Sequence, residues 1–304
     1  MKTKEFYEKH YKVLILIPLV LLVLALSLIA YQYSKTGDIF KKDVTLKGGI
    51  SATVYSEKEI NADEVKDFLS KKFNNADVVV RRLSEFGTKK QVGINVEISD
   101  VEQDKLKAAL EEELNIKLVE ENYFTEETGS SLGENFYRQV IIALLFAFLL
   151  MAIVVFIAFR TLVPSGTVVF VAFSDIAITV AIINLIGVRL SSAGIAALLL
   201  LIGYSIDTDI LLTTRVVKRR EGRIVDRVFS SIKTGLTMSI TSIVAVLVAY
   251  FVSTSFVIKQ ISLIIMVGLV VDIIATYCLN AGVLMWYEKR KEGALSWTLK
   301  SFLD

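Results

Sequence analysis

The chain has 304 residues, 54% of them hydrophobic, with a mean hydropathy of +0.57. Soluble domains sit nearer roughly 45–50% apolar, and here the excess falls in blocks, which excludes a water-soluble globular enzyme as the default and indicates a polytopic membrane protein. A single cysteine, Cys278, and a single histidine, His10, rule out an internal disulfide and leave almost no material for Cys/His metal sites or histidine-based triads. The net charge of +2 conceals an asymmetry. Residues 34–137 hold 15 Lys/Arg against 21 Asp/Glu, a charge of −6, and the rest of the chain carries +8.

In chain order, the first element is an uncharged apolar run from Val13 to about Tyr31, preceded by Lys2, Lys4, Lys9 and Lys12. It exceeds the apolar core of a signal peptide, about 7–15 residues, and no clear A-x-A site follows. It reads as a membrane anchor with a cytoplasmic N-terminus, so residues 1–33 form one unit. The polar block 34–137 is long enough to fold alone. Its pattern predicts β-α-β-β-α-β: a strand over Ile50–Tyr55, a helix opened by Asn61 with Glu64 and running to about Phe73, strands over Val78–Leu83 and Gln91–Ile98 around a turn at Glu85-Phe86-Gly87-Thr88, a helix opened by Ser99 with Glu102 and running to about Leu114, and a strand over Ile116–Phe124. That order predicts a ferredoxin-like α+β domain.

Five further apolar spans follow at about 139–159, 164–187, 191–213, 234–254 and 258–286, making a bundle over 138–287 and a tail over 288–304. The connections are short except a basic one from Thr214 to Lys233, with Arg215, Lys218, Arg219, Arg220, Arg223 and Arg227. Six transmembrane helices and a cytoplasmic N-terminus place that loop, and the Lys289-Arg290-Lys291 cluster, in the cytoplasm, with the acidic α+β domain outside between helices 1 and 2. Arginine and lysine beside a span are topology or lipid-headgroup signals, so no nucleic acid is expected.

Four carboxylates interrupt the apolar spans: Asp175, Asp207, Asp209 and Asp272. A charge at mid-bilayer costs roughly 2.5–3.5 kcal/mol on insertion scales, so each must face other helices, water or a partner. Thr179 follows Asp175 by one turn, Thr276 and Asn280 extend Asp272 into a polar stripe, and Thr234, Thr237, Thr241 and Ser242 form another. These stripes suit a hydrated or proton-conducting interior or polar contacts between helices. Asp207 and Asp209 lie about 200° apart around a helix and cannot share a groove. Arg215 lies two turns beyond Asp207, within snorkelling reach of the interface. No phosphate-binding loop, G-x-S-x-G elbow or H-E-x-x-H occurs, so neither a cofactor, a metal nor an enzyme activity is expected.

The run Gly203-Tyr204-Ser205-Ile206-Asp207-Thr208-Asp209 resembles the G-Y-S-[IV]-[DN]-D-[ST] signature of the SecD/SecF family of the resistance-nodulation-division superfamily, on its SecF side, with Arg215 at the place of a family arginine. The acid and hydroxyl are exchanged at Thr208-Asp209, and Thr214 stands where an Asp precedes the arginine. Asp43-Val44-Thr45-Leu46-Lys47-Gly48-Gly49 resembles the D-F-x-G-G opening of the outer domain, Thr128-Gly129-Ser130-Ser131-Leu132-Gly133 the approach to the second span, and Phe173-Ser174-Asp175 the H-D of the third without its His. The departures resemble archaeal forms. The resemblance implies an auxiliary subunit of the Sec machinery that pairs with SecD and acts beside the Sec translocation channel on exported polypeptide chains, using the proton-motive force. A small-molecule or lipid exporter half, or a non-conducting scaffold, are the alternatives. Asp207, in the most specific motif, is expected to be the proton-exchanging carboxylate, with Asp175 and Asp272 as partners or polar lining.

Overall fold

The computed structural model describes residues 2–56, 58–74, 76–85, 90–219 and 221–303. Six helices in it are long and apolar enough to cross a membrane, and a small antiparallel sheet lies between the first and second of these.

Helix α1 (Lys2–Thr36) extends beyond the apolar run at both ends, because hydropathy marks only the part that suits a bilayer. A short α2 (Val44–Lys47) follows, N-capped by Asp43, whose carboxylate accepts from the Thr45 backbone N–H. Then come β1 (Gly49–Tyr55), α3 (Ala62–Lys72), β2 (Val78–Ser84), β3 (Gln91–Ile98), α4 (Gln103–Leu114) and β4 (Tyr123–Thr128). The strands lie in the order β2-β3-β1-β4. The register sets Ile50 against Ile98, Ala52 against Val96 and Val54 against Ile94. Those apolar residues share one face and pack on Val65 and Leu69 of α3 and Leu106 and Leu110 of α4. The other face carries Ser51, Thr53, Asn95 and Glu97; Asn95 donates to the Ser51 and Thr53 hydroxyls.

Two sequence expectations in the sheet region need correction. Strand β4 starts at Tyr123 rather than Ile116, because Asn122 closes a turn: its Oδ1 accepts from Val119 N at 2.8 Å and its Nδ2 donates to Lys117 O at 3.1 Å. Helix α4 begins at Gln103 without a Ser99 cap, because Asp100 takes a left-handed φ of 60° and turns the chain first. Its N-cap, Glu102, makes no side-chain capping bond. From Phe86 on, the turn read at Glu85–Thr88 lies outside the described residues.

The remaining helices are α5 (Ser130–Phe159), α6 (Leu162–Ile186), α7 (Ser192–Thr213), α8 (Ile224–Val252), α9 (Phe256–Ile274) and α10 (Ala281–Leu303). Wide π-turns extend α7 over Thr214–Lys218 and join α9 to α10 over Ala275–Asn280. The expected long basic connection is therefore short. Helix α8 starts ten residues before its predicted span, at Ile224, because Arg227 turns inward and donates to Val216 O at 2.6 Å and to Arg219 O, satisfying carbonyls that end the preceding turn. Helices α6, α7 and α9 form the buried centre, with α1, α5 and α8 around them. Gly268 allows the approach of α7, since a Cβ there would lie 2.2 Å from Leu201 Cδ2.

The sheet sits at the end of the bundle where the α6–α7 and α8–α9 connectors lie. Two resembling motifs meet there. Gly48 and Gly49 have φ of 90° and 137°, and a Cβ on Gly133 of α5 would come within 2.8 Å of Gly48 N. The opposite end is fastened by Lys4–Asp226 at 2.8 Å and Lys289–Glu8 at 2.9 Å.

Candidate functional site: a buried acid cluster

Three of the four intramembrane carboxylates meet in the bundle centre. Asp175 from α6, Asp209 from α7 and Asp272 from α9 are each at most 1% exposed. Ser205 donates to Asp175 Oδ2 at 2.6 Å. Thr208 lies 3.1 Å from Asp272 Oδ2. Thr276 reaches Asp209 Oδ1 at 3.0 Å and Asp272 Oδ1 at 3.1 Å, and Asn280 Nδ2 donates to Asp209 Oδ1 at 2.7 Å. The donors are hydroxyls and one amide; among the described residues no Lys, Arg or His pairs with any of the three acids.

The local geometry follows from spacing. Ser205, Thr208, Asp209 and Leu212 lie at i, i+3, i+4 and i+7, one face of α7, and all are buried. Asp272, at the end of α9, and Thr276 and Asn280, in the π-turn over 275–280 that follows it, line one side of this segment, which is widened beside Asp209. Several buried oxygens have no hydrogen-bond partner: Asp175 Oδ1, Asp209 Oδ2, Thr179 Oγ1, Thr213 Oγ1 and Asn280 Oδ1. Each uncompensated buried ion costs several kcal/mol. Three negative charges cannot be held together there unless protons or another positive species offset them.

Asp207 is placed elsewhere. It lies on the outer flank of α7 with Gly203 and Tyr204, away from the three clustered acids it was expected to join. Arg215 contacts none of the acids; its guanidinium donates to Ser230 O at 2.6 Å and Thr234 Oγ1 at 2.9 Å. The polar stripe of α8 also faces outward: Thr237 and Thr241 are exposed and bond to their own helix carbonyls. The signal that separates Asp209 from Asp207 was present in the sequence. Asp209 has Ser205 and Thr208 on its face, whereas Asp207 has Gly203, Tyr204, Ile210 and Leu211.

Fold and site together define a multi-pass membrane protein whose helices enclose a polar, acidic centre. Residues 109–290 match the family described as protein export membrane protein SecD/SecF, C-terminal. The protein-export membrane protein SecF of Pyrococcus furiosus is 39% identical over 292 residues, covering 96% of both chains. That of Methanocaldococcus jannaschii is 36% identical over 293 residues, covering 92% of this chain and 96% of the relative. The chain belongs to the SecD/SecF family of protein-export membrane proteins. Its fold is similar to that of SecDF, a translocon-associated membrane protein, from Thermus thermophilus, with a TM-score of 0.73 at 21% identity over 93% of this chain. A super-membrane-facing form of SecDF gives a TM-score of 0.62 at 22% identity. The chain spans 38% and 40% of the length of those two.

Proposed function

We propose that the chain is an auxiliary subunit of the Sec machinery that works with SecD beside the Sec translocation channel and uses the proton-motive force to promote export of polypeptides, with Asp175, Asp209 and Asp272 taking up and releasing the protons. The observation that carries this reading is three fully buried carboxylates held only by neutral donors. Neutral donors orient a carboxylate without fixing its charge, so its protonation can change with the proton supply. Moving one charge through a membrane potential yields about 2.3 kcal/mol per 100 mV, comparable to the cost of a modest conformational switch.

In this reading residues 1–33 are the N-terminus and first span, 34–137 an extracytoplasmic ferredoxin-like domain, 138–287 the five-helix bundle and 288–304 a cytoplasmic tail. The β2-β3-β1-β4 order with α3 and α4 on one face supports the ferredoxin-like assignment. Lys4, Lys9, Arg215, Lys218, Arg223 and Lys289 gather at the end of the bundle remote from the sheet, which supports cytoplasmic termini. Asp207 bears on partnership: a carboxylate left against lipid is costly, and its exposure beside Gly203 and Tyr204 supports a second six-span half covering this flank of α7.

The test is Asp209→Asn, assayed for export driven by an imposed proton gradient in membranes containing the full complex. The variant is expected to assemble at wild-type levels and to lose the gradient-dependent part of export. Wild-type gradient-dependent export would remove the cluster from the proton path.

A further inference from the structure

The two helices that carry most of the acid cluster, α6 and α7, are joined by a five-residue connector, residues 187–191, at the end of the bundle nearest the sheet. This connector is fastened on every side. Leu190 N donates to Lys41 O at 2.7 Å and Asp43 N donates to Leu190 O at 3.0 Å, a short parallel bridge to the segment leading out of α1. Asn184, at the end of α6, donates to Ile39 O at 3.0 Å and accepts from Lys41 N at 3.3 Å. At the start of α7, Ser192 N donates to Thr45 Oγ1 at 2.9 Å, and Thr45 Oγ1 in turn donates to Asp43 Oδ1 at 2.6 Å. From α9, Gln260 donates to Arg189 O and accepts from Ser191.

The side chain of Arg189 makes the link to the sheet. Its guanidinium holds Asp77, immediately before β2, through two bonds of 2.6 Å, and Lys47 holds the same carboxylate at 2.5 Å. A bidentate guanidinium–carboxylate pair fixes orientation as well as distance. These cations hold the Asp77 carboxyl well below the usual carboxylate range, so the pair keeps its charge at an acidified surface. The other tie to the sheet on this side comes from the first turn of α9, the helix of Asp272, and is looser: Lys259 to Ser84 O at 3.4 Å and Arg81 over the Phe256 ring. The tighter tether is on the connector whose two helices carry Asp175 and Asp209.

We propose that the α6–α7 connector is the mechanical link between the acid cluster and the sheet domain, with Arg189 and Asp77 as the positioning pair that passes a shift of α6 against α7 into a displacement of the sheet. Ser205 and Asp175 join the two helices at the cluster, and the connector joins them again at the far end. From Ser192 to Ser205 is about 20 Å of helix at 1.5 Å per residue. A rigid helix pair of that length carries a small change at one end to the other, and Arg189 hands it to the sheet. This rests on the proton-coupling reading above.

The test is charge exchange in the full complex. Arg189→Asp alone and Asp77→Arg alone are expected to lose gradient-dependent export, and the double exchange to regain it. Arg189→Lys, which keeps the charge, is expected to keep part of it. Export without a gradient should be unchanged in all of them, which a merely destabilised protein would not show. Where Arg189→Asp fails to accumulate, Arg189→Gln removes the charge with less disturbance. Asp209→Asn is run alongside. Loss of gradient-dependent export there, with full gradient-dependent export in Arg189→Asp or Arg189→Gln, overturns the link and leaves the proton reading standing. Full export in Asp209→Asn as well overturns both. A double exchange that stays inactive, though stably assembled, also overturns the pairing.

Discussion

Asp77 and Asp209 are both held by hydrogen bonds, and they differ in what donates. Asp77 receives its bonds from a guanidinium and an ammonium group, Asp209 from a hydroxyl and an amide. Charged donors stabilise one protonation state and make the contact permanent. Neutral donors set the direction of the carboxylate and leave its charge open. One end of the bundle thus holds a carboxylate paired with cations, and its centre holds carboxylates paired only with neutral donors.

The sharpest way to break this contrast is to make the same substitution in both places. Asp77→Asn leaves Arg189 and Lys47 without their anion, in a half-exposed site, and should lower stability by about 1 kcal/mol. Asp272→Asn replaces a buried carboxyl that no cation offsets, so stability should hold or rise. The thermal midpoint of the purified protein in mild detergent checks both; a drop in Asp272→Asn as large as in Asp77→Asn would erase the distinction.

Asp43 gives a smaller effect. Burial raises its pKa to about 6, with Glu97 adding to the rise and Thr45 opposing it. A carboxyl whose folded value lies above its unfolded value takes up protons on folding. Its contribution is fully present below the unfolded pKa and is lost as pH rises through about 6. Stability should therefore increase by about 1 kcal/mol from pH 7 to pH 5, and Asp43→Asn should abolish that increment. Asp77 opposes this only at much lower pH, because its own value is depressed. The smallest effect belongs to Lys72, which pairs with Glu112 across the α3–α4 surface with both partners well exposed. Lys72→Ala should change the thermal midpoint by less than about 0.5 kcal/mol equivalent, and a larger loss would mean that surface pairs also anchor the sheet domain.

Much of this was legible in the sequence. Strand β3 falls at its predicted bounds, and β1 and β2 differ by a residue, because alternating apolar residues leave little freedom of register. The apolar spans were legible because the bilayer demands length. The start of α8 was not, because Arg227 reads as a loop residue until the carbonyls of Val216 and Arg219 are seen to need donors. That Asp209 and not Asp207 joins the buried cluster was legible in the hydroxyls at Ser205 and Thr208 rather than in motif position. The connector's ties were invisible, since Asp77 and Arg189 lie 112 positions apart and neither belongs to a motif.

The wide turn over Ala275–Asn280 has a consequence for how this chain tolerates insertion and deletion. In an unbroken α-helix, residues eight apart drift by about 80° in phase. Looser i→i+5 bonding takes up part of that drift, so Asp272, Thr276 and Asn280 present in register to α7. Removing one residue between Thr276 and Asn280 would restore ordinary pitch with Asn280 seven positions after Asp272, within about 20° of its phase, so the side facing Asp209 would survive. Gly282 against Ile15 of α1, and Leu284 and Met285 in their packing, would keep nearly their present phase, whereas one residue more would leave Asn280 nine positions on and about 180° away. The segment should thus bear the loss of one residue better than the gain of one.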